Sequence, residues 1–237
     1  MTKFEILFGI KASEVTNTCV LLPLTGKGIL ENLGVKKLLK GKLYASGQAK
    51  DFTVIVTGMS TGLAGDAVLY LKETRCQNII LFGSCGLVRS KSGTNIGTLV
   101  SPVISHAMES FTDMLLDKKT GWKDFPADKK LMENFLKRYS NIKKATCATL
   151  GSLKLEEGMT GLFKEKGINV VDMECSGVFS AALHIKRKAI ALFYITDIIN
   201  EKPFYYGLND KDKATLSLSI KTSCHILCDF IKNDLIS

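Results

Sequence analysis

A chain of 237 residues with 46% hydrophobic and 23% charged residues has the size and balance of one large α/β domain that buries its own core. No apolar run reaches the ~18 residues of a membrane span. The net charge of +9 comes almost entirely from lysine, spread over Lys36, Lys37, Lys40, Lys42, Lys118, Lys119, Lys143, Lys144, Lys186 and Lys188. It lacks the arginine and aromatic interleaving of a nucleic-acid surface, so a solvated face that steers small anions is the better reading. Seven cysteines, an odd number set mostly in apolar runs, fit reduced core residues of a cytoplasmic protein. Cys224, His225 and Cys228 invite a metal reading, but a helix puts only the two cysteines on one face, which favours packing.

In chain order, Met1 to Gly9 has no secretory-leader pattern and reads as a first strand ending at Ile6 to Gly9. Lys42 to Ser46 and Phe52 to Thr57 form a hairpin around the turn Gly47 to Asp51. Gly58 to Gly62 leads into a helix over Leu63 to Thr74, on the spacing of Ala64, Ala67, Val68 and Leu71. Asn78 to Phe82 is a buried strand closed by Gly83-Ser84-Cys85-Gly86, and Gly97 to Ile104 is the next strand. His106 to Pro126 has little regular pattern, and a loop of that length is usually functional. Asp128 to Tyr139 is an amphipathic helix, Lys144 to Leu150 a strand, and Glu156 to Lys166 a helix. Ile168 to Val171 is a short strand before the small, apolar helix that follows Glu174. A strand over Ala189 to Ile195 and a last helix over Lys211 to Asn233 complete the series. The alternation predicts a single domain over residues 1–237, a three-layer α/β/α sandwich with a central parallel or mixed sheet.

Ligands in such folds bind beyond the carboxyl ends of the strands. On this reading those ends carry Glu14, Gly83-Ser84, Gly151-Ser152, Met173-Glu174 and Thr196-Asp197, so three carboxylates converge with two glycine loops. Glu174 has a plainer reading as the cap of the following helix. No phosphate-binding glycine motif, serine-nucleophile elbow or histidine cluster is present, which leaves carboxylate acid–base chemistry.

Val171-Asp172-Met173-Glu174 followed by Ile195-Thr196-Asp197 resembles the Val-Glu-Met-Glu and Ile-Ser-Asp pair of the nucleoside phosphorylase and nucleosidase family. The pattern is most similar to the 5′-methylthioadenosine/S-adenosylhomocysteine nucleosidases. Gly9-Ile10-Lys11-Ala12-Ser13-Glu14-Val15, Gly83-Ser84-Cys85-Gly86 and Thr94 to Val100 resemble further motifs of that group, in the same order. The resemblance implies Asp197 as proton donor to the departing base, Glu174 as acceptor for the ribose hydroxyls, Met173 against the sugar and Glu14 as the carboxylate that activates water. It implies a pocket with Gly83 and Ser84, a base-binding segment at Gly151, Ser152 and Leu153, and a lid at Phe204-Tyr205-Tyr206, for which loop packing is the alternative. It implies no cofactor, no metal, and a homodimer or higher homo-oligomer acting on a small nucleoside, with neither nucleic acid nor membrane as partner.

Phosphorylases of the family hold phosphate with an arginine in an early loop and another two residues before the Gly-Ser/Thr-x-Gly turn. This chain has no arginine before Arg75, and Leu81 stands at the second position. Hydrolysis is therefore the expected reaction. Lys11 keeps phosphorolysis open, and the missing stacking aromatic near Leu153 leaves both the base and a non-catalytic nucleoside-binding role open.

Overall fold

The computed structural model describes every residue except 27, 111–122, 205 and 237. Lys118, Lys119 and Tyr205, and most of the irregular stretch between His106 and Pro126, thus lie outside the described residues.

At the amino terminus the chain departs from the expected strand. Thr2 Oγ1 accepts the Glu5 N–H at 3.2 Å, and Gly9 closes the segment in the left-handed region at φ 76°, so Lys3–Phe8 is a helix, α1. Phe4 and Phe8 stack with ring centroids 4.2 Å apart and are both buried. The last carbonyls of α1 are satisfied by the segment after Gly41: Lys42 donates to the Ile6 carbonyl at 2.8 Å and Tyr44 to that of Leu7 at 3.0 Å. This approach needs a glycine, because a Cβ on Gly41 would sit 2.1 Å from the Leu7 oxygen. Gly41→Ala is expected to destabilise the protein by about 2–3 kcal/mol, the upper range of overpacking. A lowered urea midpoint with an unchanged slope is the signature, and an unchanged midpoint contradicts it.

The first strand is instead β1, Thr18–Leu22, every residue of which is buried. It lies parallel between β4 (Thr53–Val56) and β5 (Asn78–Leu87). The expected hairpin is present as β3 (Ala45–Gln48) against β4, with β2 (Leu39–Lys40) beyond it. On the other side lie β6 (Leu99–Met108), β7 (Lys123–Pro126), β8 (Lys143–Leu150), β9 (Val170–Asp172) and β10 (Lys188–Ile198). The sheet runs β10-β6-β8-β9-β5-β1-β4-β3-β2, with β7 on β6. Because β10 also pairs with β5, the five strands from β10 to β5 close into a ring. Parallel and antiparallel pairs coexist, so this is a mixed sheet with helices, as the alternation predicts.

Helices α2 (Ile29–Asn32), α3 (Thr61–Tyr70), α4 (Lys129–Arg138), α5 (Leu153–Glu156), α6 (Thr160–Glu165), α7 (Cys175–His184) and α8 (Asp210–Phe230) cover the sheet. The helix expected over Glu156 to Lys166 is broken in two. Gly158 and Met159 turn back on the carbonyls of Leu155 and Glu156, and glycine is a poor helix interior residue. Helix α8 buries Cys224, Ile226, Leu227 and Phe230 and leaves His225 exposed, so the cysteine pair packs and the histidine points away. All seven cysteines are free thiols. Among the described residues no helix is long and apolar enough to cross a membrane.

Candidate active site

Strands β1, β5 and β10 run parallel and end at one edge of the sheet. A cavity of about 290 Å³ opens there, among Pro23 and Leu24 after β1, Gly83 to Gly86 of β5, Val171 to Glu174, and Tyr194, Thr196 and Asp197 of β10. Strand β5 does not stop at Phe82 as expected but continues through Leu87, carrying Gly83 and Gly86 inside the ladder. Glycine within a strand marks a close approach, and here the group that approaches is Asp197. A Cβ on Gly86 would lie 3.1 Å from Asp197 Oδ2.

Asp197 reaches this position through a break in register. The β10–β5 pairing shifts between Ile195 and Asp197, leaving Thr196 unpaired, and such bulges re-aim side chains beside active sites. Thr196 Oγ1 donates to Asp197 Oδ1 at 2.7 Å. Burial pushes the Asp197 carboxyl above its usual range, and the Thr196 hydroxyl offsets part of that rise.

The helix-cap reading of Glu174 is settled by its neighbour. Asp172 Oδ2 accepts the N–H groups of Glu174 at 3.0 Å and Cys175 at 2.6 Å, while Oδ1 accepts from Thr149 Oγ1 at 2.7 Å. Asp172 therefore caps α7, and Glu174 makes no cap bond. Its carboxylate lines the cavity at 6% exposure, and its buried Oε1 has no hydrogen-bond partner among the described residues. Burial first, and the Asp172 charge second, push Glu174 up to about 9. An unpaired buried acceptor is costly, so a ligand hydroxyl donating to Oε1 would relieve a real penalty. Cys147, Asp172 and Cys175 form the one group with metal-binding spacing among the described residues. Asp172 is already committed there as cap and acceptor, and Cys147 Sγ contacts its Oδ1 at 3.4 Å.

Held neutral in the native state, Glu174 makes stability depend on pH. Its proton is retained on folding but lost from the unfolded chain above about 4.5, so this stabilisation is full below that pH and is lost as pH rises through about 9. Glu174→Gln is expected to flatten the fall in urea midpoint between pH 7 and 9. An identical slope in both proteins would refute the assignment.

Of the residues singled out from sequence, the cavity brings together Asp197, Glu174, Met173, Ser84, Gly83, Leu153 and Phe204. Gly151 lines a neighbouring hollow with Ser60, Thr61 and Glu109, although Met173 borders both. Ser152 does not line the cavity; its hydroxyl caps α5 by accepting from Leu155 at 3.4 Å. Glu14 is not brought to the site. It precedes β1, at the amino-terminal edge of the sheet, where its carbonyl accepts from Gln48 and that of Val15 from Arg75. Exposed, its carboxylate accepts the Lys11 N–H at 2.7 Å, and Lys11 too is outside the cavity. The physical reason is α1: once Lys3–Phe8 is helical, Glu14 comes before the first strand and not after it.

Beside Asp172, Glu174 and Asp197 the cavity holds a fourth carboxylate, Glu156, which sequence reasoning missed. It ends the short helix α5, is 8% exposed and lines the same wall as Leu153. Burial first, then the charge of Asp197, push it up to about 7. The available signal was the Ser152 cap with a carboxylate four residues later.

Residues 28–232 match the family model of the phosphorylase superfamily. The chain belongs to that superfamily. A superfamily uridine phosphorylase from Vibrio fischeri ES114 superposes with a TM-score of 0.76 at 17% identity, covering 95% of each chain. The 5′-methylthioadenosine/S-adenosyl homocysteine nucleosidase of Campylobacter jejuni gives 0.72 at 14% identity, over 93% of this chain and all of its own. An AMP nucleosidase from Bacteroides thetaiotaomicron gives 0.68 at 15%, over 95% of each. No curated protein matches in sequence. Identities this low establish a shared fold for both phosphorylases and nucleosidases.

Proposed function

We propose that this superfamily member hydrolyses the N-glycosidic bond of a nucleoside, with a purine as the expected base. The observation that carries this reading is the lining of the cavity: Glu156, Asp172, Glu174 and Asp197 border it, and no lysine or arginine does among the described residues. A phosphate dianion entering such a site meets carboxylates and no bidentate clamp. Water meets no such penalty. As the C1′–N bond breaks, positive charge grows on the ribose and electrons pass to the base. Asp197 gives its proton to the base, Glu174 accepts from the ribose hydroxyls, and hydrogen bonds to its charged form draw its pKa down. Water supplies oxygen to C1′ and leaves its proton on a cavity carboxylate, giving free base and a free ribose derivative.

Leu24, Met59 and Phe204, each more than half exposed, line the mouth. An apolar rim without a described cation suits a neutral 5′ substituent, such as an alkylthio group, over a 5′-phosphate. The decisive experiment is a nucleoside panel incubated with and without inorganic phosphate, free base being resolved by chromatography. Turnover without phosphate is the expected result. Strict phosphate dependence with ribose 1-phosphate as product overturns hydrolysis, and tight binding without turnover overturns catalysis altogether.

A further inference from the structure

A second cavity, of about 460 Å³, shares no lining residue with the first. Five cations from three parts of the chain border it: Arg89 and Lys91 from the loop after β5, Lys143 and Lys144 at the start of β8, and Lys164 in the last turn of α6. No carboxylate lines it among the described residues. Elsewhere Arg138 pairs with Asp229 and Asp234, and Lys202 with Asp212. None of Arg89, Lys91, Lys144 and Lys164 makes an ion pair with a described acid, and Glu201 nearby is engaged by the Ser90 N–H and hydroxyl. Lys143 is held on the rim by the Gly93 carbonyl and by Thr94 Oγ1, the latter at 2.8 Å. The floor is aliphatic, with Val88 and Ile168 both buried.

Like charges gathered round a concavity repel one another, and bulk salt screens them only partly within a Debye length of about 8 Å. A ligand carrying several negative charges within that span removes the repulsion, and Arg89 adds a planar fork that matches phosphate oxygens. The volume is that of a small-molecule site and is too confined for a duplex. We propose that this cleft binds a small polyanion bearing two or more linked phosphate groups, at a site separate from the catalytic cavity.

Titration calorimetry at about 0.15 M ionic strength with pyrophosphate, tripolyphosphate and ATP tests the proposal. Saturable one-to-one binding is expected. The triple variant Arg89→Ala, Lys144→Ala and Lys164→Ala should weaken it at least about tenfold. A control removing three exposed lysines elsewhere, Lys50→Ala, Lys72→Ala and Lys221→Ala, should keep it, and both variants should retain wild-type melting and nucleoside turnover. ATP binding more tightly than tripolyphosphate identifies a nucleotide; equal affinity identifies the phosphate chain alone. Absence of binding, equal weakening by the control, displacement by a nucleoside, or tighter binding of a single-stranded oligonucleotide each overturns the proposal. None of these results bears on the hydrolysis reading, which the nucleoside panel tests.

Discussion

Asp197→Asn is expected to lower kcat/KM by about 10²- to 10⁴-fold, the contribution of a positioned proton donor, while leaving the fold in place. The substitution is close to isosteric, so the space cleared by Gly86 still accommodates it, and the amide oxygen can still accept from Thr196 Oγ1. What is lost is the transferable proton. The size of the defect should depend on the leaving group: a riboside whose leaving group needs no proton, such as a nitrophenyl riboside, should be cleaved by the variant at close to the wild-type rate. Comparing a nucleoside with that riboside separates chemistry from damage, because a misfolded variant fails on both. Wild-type turnover of the nucleoside, or an equal loss on both substrates in a variant that melts like the wild type, would remove Asp197 as the proton donor. Its geometry is unusual enough to make the test sharp, since the Thr196 bulge, the Gly86 gap and the burial of the carboxyl all serve this one side chain.

The parts of this arrangement legible in the sequence were those in which a local pattern and a long-range need agreed. Buried runs such as Asn78 to Phe82 and Ala189 to Ile195 are strands in both, and Met173-Glu174 and Asp197 stand at strand ends as the pattern implies. The failures have separate causes. Residues 3–8 are apolar enough for a strand, but Thr2 caps them as a helix, and Glu14 precedes the first strand as a direct result. Glycine punctuates most chains, so Gly83 to Gly86 reads as the close of a strand, yet it is the second half of β5, made of small residues so that Asp197 and Val171 can approach. Neither the Asp197 bulge nor the closing of the β10 to β5 ring has a local signature, since both depend on partners more than a hundred residues away. Glu156 was hidden by a helix boundary, because a helix starting there would have left its side chain among solvated neighbours, whereas ending α5 it faces the cavity.

Glu156→Gln is expected to lower kcat/KM about ten- to hundredfold at neutral pH and to move the pH profile. Burial first, and the charge of Asp197 second, push Glu156 up to about 7. Like charges in one cavity cannot both ionise freely, so once Asp197 ionises its charge holds the last proton of the pair on Glu156, from which it can return to Asp197. Activity that needs a protonated donor therefore persists at low pH and falls as the pair loses its last proton. Glutamine at 156 fills the same space but cannot hold that last proton, so the falling limb follows Asp197 alone and shifts in the acid direction. Below the shifted limb the variant should recover most of its activity, because Asp197 again carries its proton there. A residue that only packed the wall would depress kcat/KM evenly at every pH. The measurement is kcat/KM from pH 5 to 9 for both proteins, with Glu14→Gln as a third curve. Exposed and at the far edge of the sheet, Glu14 should leave that curve on the wild type. A Glu156→Gln profile parallel to wild type sinks the coupling, and a large defect in Glu14→Gln would return water activation to the amino-terminal edge, against the placement of α1 and β1.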